Sequence, residues 1–114
     1  VKVDKKKLEG FELLAYVRTM ACESCGRPGP SDPDHTKTRA TGGPDLYWNV
    51  VALCRECHTR RHKNGPVTLM KRSFRYREAL EKRGWTKVNY FGVDKLEHPI
   101  VLEMQRGAPF DYKE

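Results

Sequence analysis

The chain's four cysteines fall as two Cys-x-x-Cys steps, Cys22/Cys25 and Cys54/Cys57, with 28 residues between the steps. Each step can place two thiolates on one ion, and two steps together make a closed tetrahedral site of the structural kind. With no position left open for water, a Zn²⁺ ion there holds the fold and does no chemistry. A small secreted protein would pair four cysteines as disulfides instead. The chain begins Val1-Lys2-Val3-Asp4 followed by Lys5-Lys6-Lys7, with no apolar core segment or small-residue cleavage site, so metal is the expected use. A cytoplasmic setting is the expected location.

A second group of chemically able residues lies between and just beyond the cysteines: Asp34-His35, Asn49, His58 and His62. His58 and His62 are four apart on an expected helix, so they project from one face and can share a cation. Asp34 and His35 are neighbours in an expected short strand, where adjacent side chains point to opposite faces. Asp34 can then face a metal while His35 faces a water and a phosphate. A carboxylate with imidazoles leaves open positions suited to a divalent ion holding phosphate oxygens. Each residue alone also has an ordinary reading: an exposed His, a turn Asp, a surface Asn.

Composition narrows the partner. The 114 residues carry a net charge of +7, and 32% are charged against 38% apolar. The excess is local: residues 39–84 hold eleven basic and four acidic side chains, while the flanking segments are nearly balanced. Such a cluster favours a polyanion. The longest apolar run, Val50 to Cys54, is about five residues, far short of the roughly 20 that span a bilayer, so no membrane is expected.

The elements that must position these groups follow from pattern. Residues 5–20 carry a helical stripe of Leu8, Phe11, Leu14/Ala15 and Val17, weakened by Gly10. Residues 26–33 are turn chemistry and 34–38 a short strand. Residues 39–48 form a loop around Gly42-Gly43-Pro44. Residues 50–53 read as a buried strand, and 55–63 as a short helix stopped by Asn64-Gly65-Pro66. A second helix is expected over about 68–83, with Leu69, Met70, Phe74 and Leu80 on its apolar side and Gly84 just past its end. Residues 87–93 read as strand, and Pro99 as a break. Trp48, Trp85 and Phe91 are expected to pack the domain.

The order Cys22-x-x-Cys25, Asp34-His35-Thr36, Thr41-Gly42-Gly43, Trp48-Asn49, Leu53-Cys54-x-x-Cys57-His58 to His62 resembles the HNH endonucleases, the ββα-metal nucleases. The steps of 14 from His35 to Asn49, 9 to His58 and 4 to His62 carry the likeness, over roughly residues 20–64. The resemblance implies an α+β fold: a small ββα-metal core with a four-cysteine zinc site and flanking helices. It implies one nuclease domain over 1–114, with its motif core at about 20–64, a basic helical region at about 66–84 and a C-terminal extension at 85–114.

By the same resemblance, His35 is the general base, steadied by a hydrogen bond such as one its ring donates to a backbone carbonyl. Asp34 and His58 hold the catalytic ion (Mg²⁺, Mn²⁺ or another divalent ion), with His62 a further ligand. Asn49 braces the loop that positions the base. The implied reaction is one-metal hydrolysis of DNA to 5′-phosphate and 3′-hydroxyl ends. Expected phosphate contacts are Lys37, Arg39, Arg60, Arg61, Lys63, Lys71, Arg72 and Arg75. Small chains with this likeness are common in phage and bacterial settings, and a partner protein or a further domain could supply specificity. The family often has an apolar residue after its Asp-His step, where this chain has Thr36-Lys37.

Other classes explain less. A non-catalytic zinc-stabilised DNA-binding module leaves Asp34, His35, Asn49 and His58 without a role. Haem attachment at Cys54-x-x-Cys57-His58 normally goes with export and leaves Cys22 and Cys25 unused. A two-Cys, two-His finger fails because Cys57 and His58 are adjacent.

Overall fold

Four consecutive apolar residues, Val50-Val51-Ala52-Leu53, form strand β2 (Val50–Leu53), and all four are buried. Because alternate side chains leave opposite faces, the strand serves two cores. Val50 and Ala52 pack with Leu13, Leu14 and Val17 of helix α1 (Gly10–Arg18). Val51 and Leu53 face the other way, into a cluster with Cys22, Cys54, Cys57, Leu69, Met70, Tyr76, Leu80 and Trp85. In this computed structural model, residues 4–111 are described. Residues 1–3, the first part of the stretch on which the leader reading rests, and 112–114, the end of the expected extension, lie outside the described residues.

Strand β1 (Asp32–His35) pairs antiparallel with β2, setting Asp34 opposite Val51 and His35 opposite Val50. The strand begins two residues earlier than expected, running through Pro33. Proline is tolerated because this two-stranded sheet gives β1 a neighbour on one side only. The connection back to β2 contains two 3₁₀ turns, Arg39–Thr41 and Tyr47–Asn49. Directly after β2, helix α2 (Arg55–Asn64) completes a ββα unit. It ends at Gly65, whose φ of +86° suits glycine.

The helix expected over 68–83 is two helices, α3 (Pro66–Arg72) and α4 (Phe74–Lys82). Ser73 breaks them: its extended backbone stops α3, and its hydroxyl caps α4 by accepting from the Tyr76 N–H at 3.2 Å. The same hydroxyl donates to the Ser24 carbonyl at 2.8 Å, tying the helix pair to the first cysteine loop. The break turns Tyr76, Ala79 and Leu80 inward and leaves Phe74, expected on the apolar side, 65% exposed. At the far end of α4, Arg83 is buried; it donates to both carboxylate oxygens of Glu23 and to the carbonyls of Tyr47, Val50 and Ala79.

The first and last segments also differ from expectation. Residues 5–7 form a separate 3₁₀ turn, and α1 buries Leu13, Leu14 and Val17 while Phe11 stands 81% exposed. The expected strand 87–93 is a hairpin, β3 (Thr86–Tyr90) and β4 (Val93–Glu97). Phe91 and Gly92, both at positive φ, make its turn. Phe91 therefore sits fully exposed at the tip and packs nothing. Trp85 does pack: it is buried, and its indole N–H donates to the Trp48 carbonyl at 2.9 Å. Helix α5 (Pro99–Asp111) starts at Pro99, which is suited to a first helical position. Among the described residues no helix is long and apolar enough to cross a membrane.

Candidate functional site

The two Cys-x-x-Cys steps meet where the loop before β1 crosses the start of α2. All four sulfurs lie within 4.8 Å of one another. Cys25 Sγ and Cys54 Sγ are 3.7 Å apart, matching the roughly 3.8 Å edge of a tetrahedron with Zn–S bonds of about 2.3 Å. Burial alone would raise the Cys22 thiol, but hydrogen bonds from the N–H groups around its sulfur outweigh it and bring it down to about 7. Burial pushes Cys57 up to about 12, with neighbouring sulfurs adding to the effect. Four crowded thiols of this kind become compatible thiolates only around a cation, and the donor set fits zinc. Haem attachment is excluded by the same geometry, because Cys54 and Cys57 are grouped with Cys22 and Cys25.

On the α2 side of β1, Asp34 is 1% exposed. Neither carboxylate oxygen has a hydrogen-bond partner. Its neighbours are cationic or imidazole nitrogens: His58 Nε2 at 3.3 Å, His62 Nε2 at 3.7 Å and Arg61 Nε at 3.2 Å. The last is close but misaligned for a hydrogen bond. His58 Nε2 and His62 Nε2 are 2.9 Å apart. These three donor atoms lie 2.9–3.7 Å apart, close to the edges of roughly 3.0–3.4 Å that ligands about 2.1 Å from one ion would make. A buried carboxylate lacking hydrogen bonds is costly, and a cation answers that cost. Asp34, His58 and His62 therefore fit a divalent ion.

Asp32, two residues before Asp34 and on the same strand face, carries the next shell of contacts. Its Oδ2 lies 3.2 Å from His58 Nδ1 and accepts from Arg55 Nε at 2.8 Å. The Asp32 contact puts hydrogen on His58 Nδ1 and leaves Nε2, beside Asp34, as the ligand atom once its own proton is lost. The Asp34 contact, aided by Asp32 and opposed by burial, raises the His58 pKa. Arg55 and then His58 hold the Asp32 carboxyl below its usual range.

His35 leaves the opposite face of β1. Its Nε2 stands 2.7 Å from Asp45 Oδ1, and Arg39 grips the same carboxylate through Nε and Nη2 at 3.0–3.2 Å. A carboxylate thus steadies this ring, in place of the expected backbone carbonyl. Asn49 is fully buried and ties the intervening loop. Its Oδ1 accepts from the Lys37 N–H at 2.7 Å, and its Nδ2 donates to the Lys37 and Pro44 carbonyls at 2.9 and 3.1 Å. Gly43 makes this closure sterically feasible, since a Cβ there would come within 1.7 Å of the Lys37 carbonyl oxygen.

The expected phosphate contacts separate into groups. Arg61 is a correction: it is 6% exposed, turned inward beside Asp34, and its Nη2 donates to the His35 and Thr36 carbonyls at 3.1 and 2.9 Å. Lys71 is paired with Asp94 at 3.1 Å. Lys37 and Arg39 surround the loop beside His35, and Lys63 is exposed on α2. Arg60, Arg72 and Arg75 lie on another surface, a groove beside Cys25 and Cys57. Sequence reasoning missed Asp32 and Asp45. The period-two spacing of Asp32 and Asp34 could have found the first; no spacing marks Asp45.

Residues 22–64 match the family model of the HNH endonucleases. This segment is an HNH endonuclease domain. The HNH segment runs from the first zinc-type cysteine to the end of α2, and so holds both ligand clusters, His35, Asp45 and Asn49. Helices α3–α5 and the β3–β4 hairpin lie beyond it. Nuclease activity, nucleic-acid binding and use of a divalent metal come with the HNH family. No curated protein and no solved structure gives a significant match to the chain.

Proposed function

We propose that the chain is a metal-dependent DNA endonuclease that hydrolyses a phosphodiester bond with His35 as general base and a single divalent ion at Asp34, His58 and His62. The observation that carries this reading is the buried, hydrogen-bond-free carboxylate of Asp34 facing the paired Nε2 atoms of His58 and His62, on the strand whose next residue is His35. Described elements beyond the HNH segment are read as parts of the same nuclease domain.

His35 would take a proton from the attacking water through Nδ1, since Nε2 is occupied by Asp45. The Asp45 carboxylate then stabilises the imidazolium, and Arg39 keeps that carboxylate in place. Asn49 holds the loop between them closed. In this reading Lys37 and Arg39, on the loop beside His35, meet phosphates of the strand being cut. When bound, the divalent ion supplies positive charge at the scissile phosphate and at the departing 3′ oxygen. The products are 5′-phosphate and 3′-hydroxyl ends. The four-cysteine zinc is structural throughout.

The test is cleavage of supercoiled plasmid with Mg²⁺ or Mn²⁺, comparing the wild type with His35→Ala and with chelator. Nicked or linear product only from the wild type with metal is the expected result. DNA binding with no cleavage under any divalent ion would make the chain a zinc-stabilised DNA-binding module instead.

A further inference from the structure

Leaving aside Arg18 on α1 and Arg77, which stacks on the Phe74 ring at 5.1 Å, both also exposed and without a carboxylate at ion-pair distance, the arginines with described side chains divide into two sets. Arg27, Arg39, Arg55, Arg61 and Arg83 each have a carboxylate within ion-pair distance, as does Lys71. Arg60, Arg72 and Arg75 are exposed and, among the described residues, have no such partner. These three line one groove of about 540 Å³, between α2, α3 and the start of α4. No acidic residue lines it. Cys57 and Leu69 are among its lining residues, Phe74 stands at its rim, and the first turn of α4 that opens on it contains no acid.

The groove is built into the fold. The Arg75 guanidinium lies against the Cα of Gly26 in the first cysteine loop, where a Cβ would come within 2.5 Å of Nη1. Ser73, which sets the direction of α4, is bonded to Ser24 of that loop. A zinc centre would offset part of the groove's charge and leave it net positive. Four thiolates on a dication carry about −2, and three guanidiniums exceed that.

Its position separates it from the metal cleft. At about 100° per residue, Arg60 is turned roughly 200° from His58 and 160° from His62, so the groove and the Asp34 cluster flank α2 on opposite sides. A helix about 10 Å across stands between them. The three guanidiniums come from three helices, a spread that matches the repeating charge of a nucleic-acid backbone better than one small anion.

We infer that this groove is a second phosphate-binding surface, which holds a DNA segment flanking the one at the metal cleft. The inference rests on the proposed DNA-cutting function for the identity of its ligand, and the two are tested apart. Binding of a labelled duplex of about 30 bp to the zinc-loaded full chain, without added Mg²⁺ or Mn²⁺, is followed by anisotropy across a KCl series. Exchanging Arg60, Arg72 and Arg75 together for Ala should lower the log–log salt slope by about 2–3 and weaken binding on the order of 100-fold at 0.15 M salt. Lys71→Ala should keep the wild-type slope. In the unmutated protein, the duplex should protect Arg60, Arg72 and Arg75 from phenylglyoxal.

A wild-type slope in the triple variant, or no protection of the three arginines, would overturn the inference. Binding with the expected slope change but no cleavage by the wild type would instead sink the nuclease reading and leave the groove standing.

Discussion

Asp45 Oδ1 lies 2.7 Å from His35 Nε2, and the same carboxylate is held by Arg39. Such a contact places hydrogen on Nε2 and leaves Nδ1 as the acceptor, so the loop residue selects which nitrogen of the strand residue can act as a base. His35 first, and Arg39 second, keep the Asp45 carboxyl below its usual range. The depressed value means that the pair's contribution is in place above the ordinary carboxylate pKa, about 3.9, and is lost only as pH falls through the lowered one.

Asp45→Ala should therefore reduce cleavage on the order of 10- to 100-fold with zinc content unchanged, the size typical of removing an orienting partner. Steady-state plasmid nicking checks it. The loss should appear in kcat, because Asp45 touches the base and not the DNA. A variant as fast as the wild type would contradict the role given to Asp45.

Asp32 should matter to the ion in the same manner. Asp32→Ala removes the acceptor for His58 Nδ1 and should weaken Mn²⁺ binding roughly 10- to 100-fold, while Asp34→Asn should abolish it. Titration calorimetry on the full chain separates the two.

Proton competition sets a pH dependence at this centre. His58 is raised by Asp34, so the metal-free ion pair is in place just below the ordinary histidine value, about 6.5, and fades as pH rises through the raised one. A divalent ion must displace that proton. Its affinity should therefore climb as pH rises through the raised value, checked by calorimetry in buffers of matched ionic strength.

Arg61→Ala should destabilise the metal-free protein by about 3–5 kcal/mol, because it takes from the buried Asp34 carboxylate the one neighbouring cation whose charge does not depend on pH. Urea unfolding measures the loss, and added Mn²⁺ should restore part of it. As Arg61 is buried, DNA salt dependence should be little changed.

Removing zinc should unfold the HNH segment, and Cys54→Ala should do the same, since a lost ligand weakens a site that contributes folding energy directly. Cys57 is pushed up to about 12 by burial, so it holds its proton until the metal arrives. Zinc uptake should release protons, and retention should fail as pH falls. Circular dichroism with a zinc-release dye follows both.

Patterns with a strict period were legible in the sequence. The run Val50–Leu53 and the helix ended by Asn64-Gly65-Pro66 appear within a residue of expectation, because burial on both faces and a glycine stop act locally. The four cysteines and the Asp34, His58, His62 set come together as their spacing suggested. Contacts across the chain were not legible. Ser73 breaks a helix because Ser24, 49 residues away, accepts its hydroxyl. Arg61 looks like any surface arginine until β1 is laid beside α2. Phe11 and Phe91 read as core by residue type, yet one faces out from α1 and the other tops a hairpin.

Helix α2 follows directly on Cys54 and carries Cys57 of one ligand cluster and His58 and His62 of the other, so one ten-residue element sets the distance between the two. One inserted residue between Cys57 and His58 would rotate the histidines about 100° away from Asp34 while the cysteines stayed in place. Homologous chains are thus free to vary in length in the turns before β1 or past Gly84, but the interval from Cys54 to His62 behaves as a ruler that admits no extra mark.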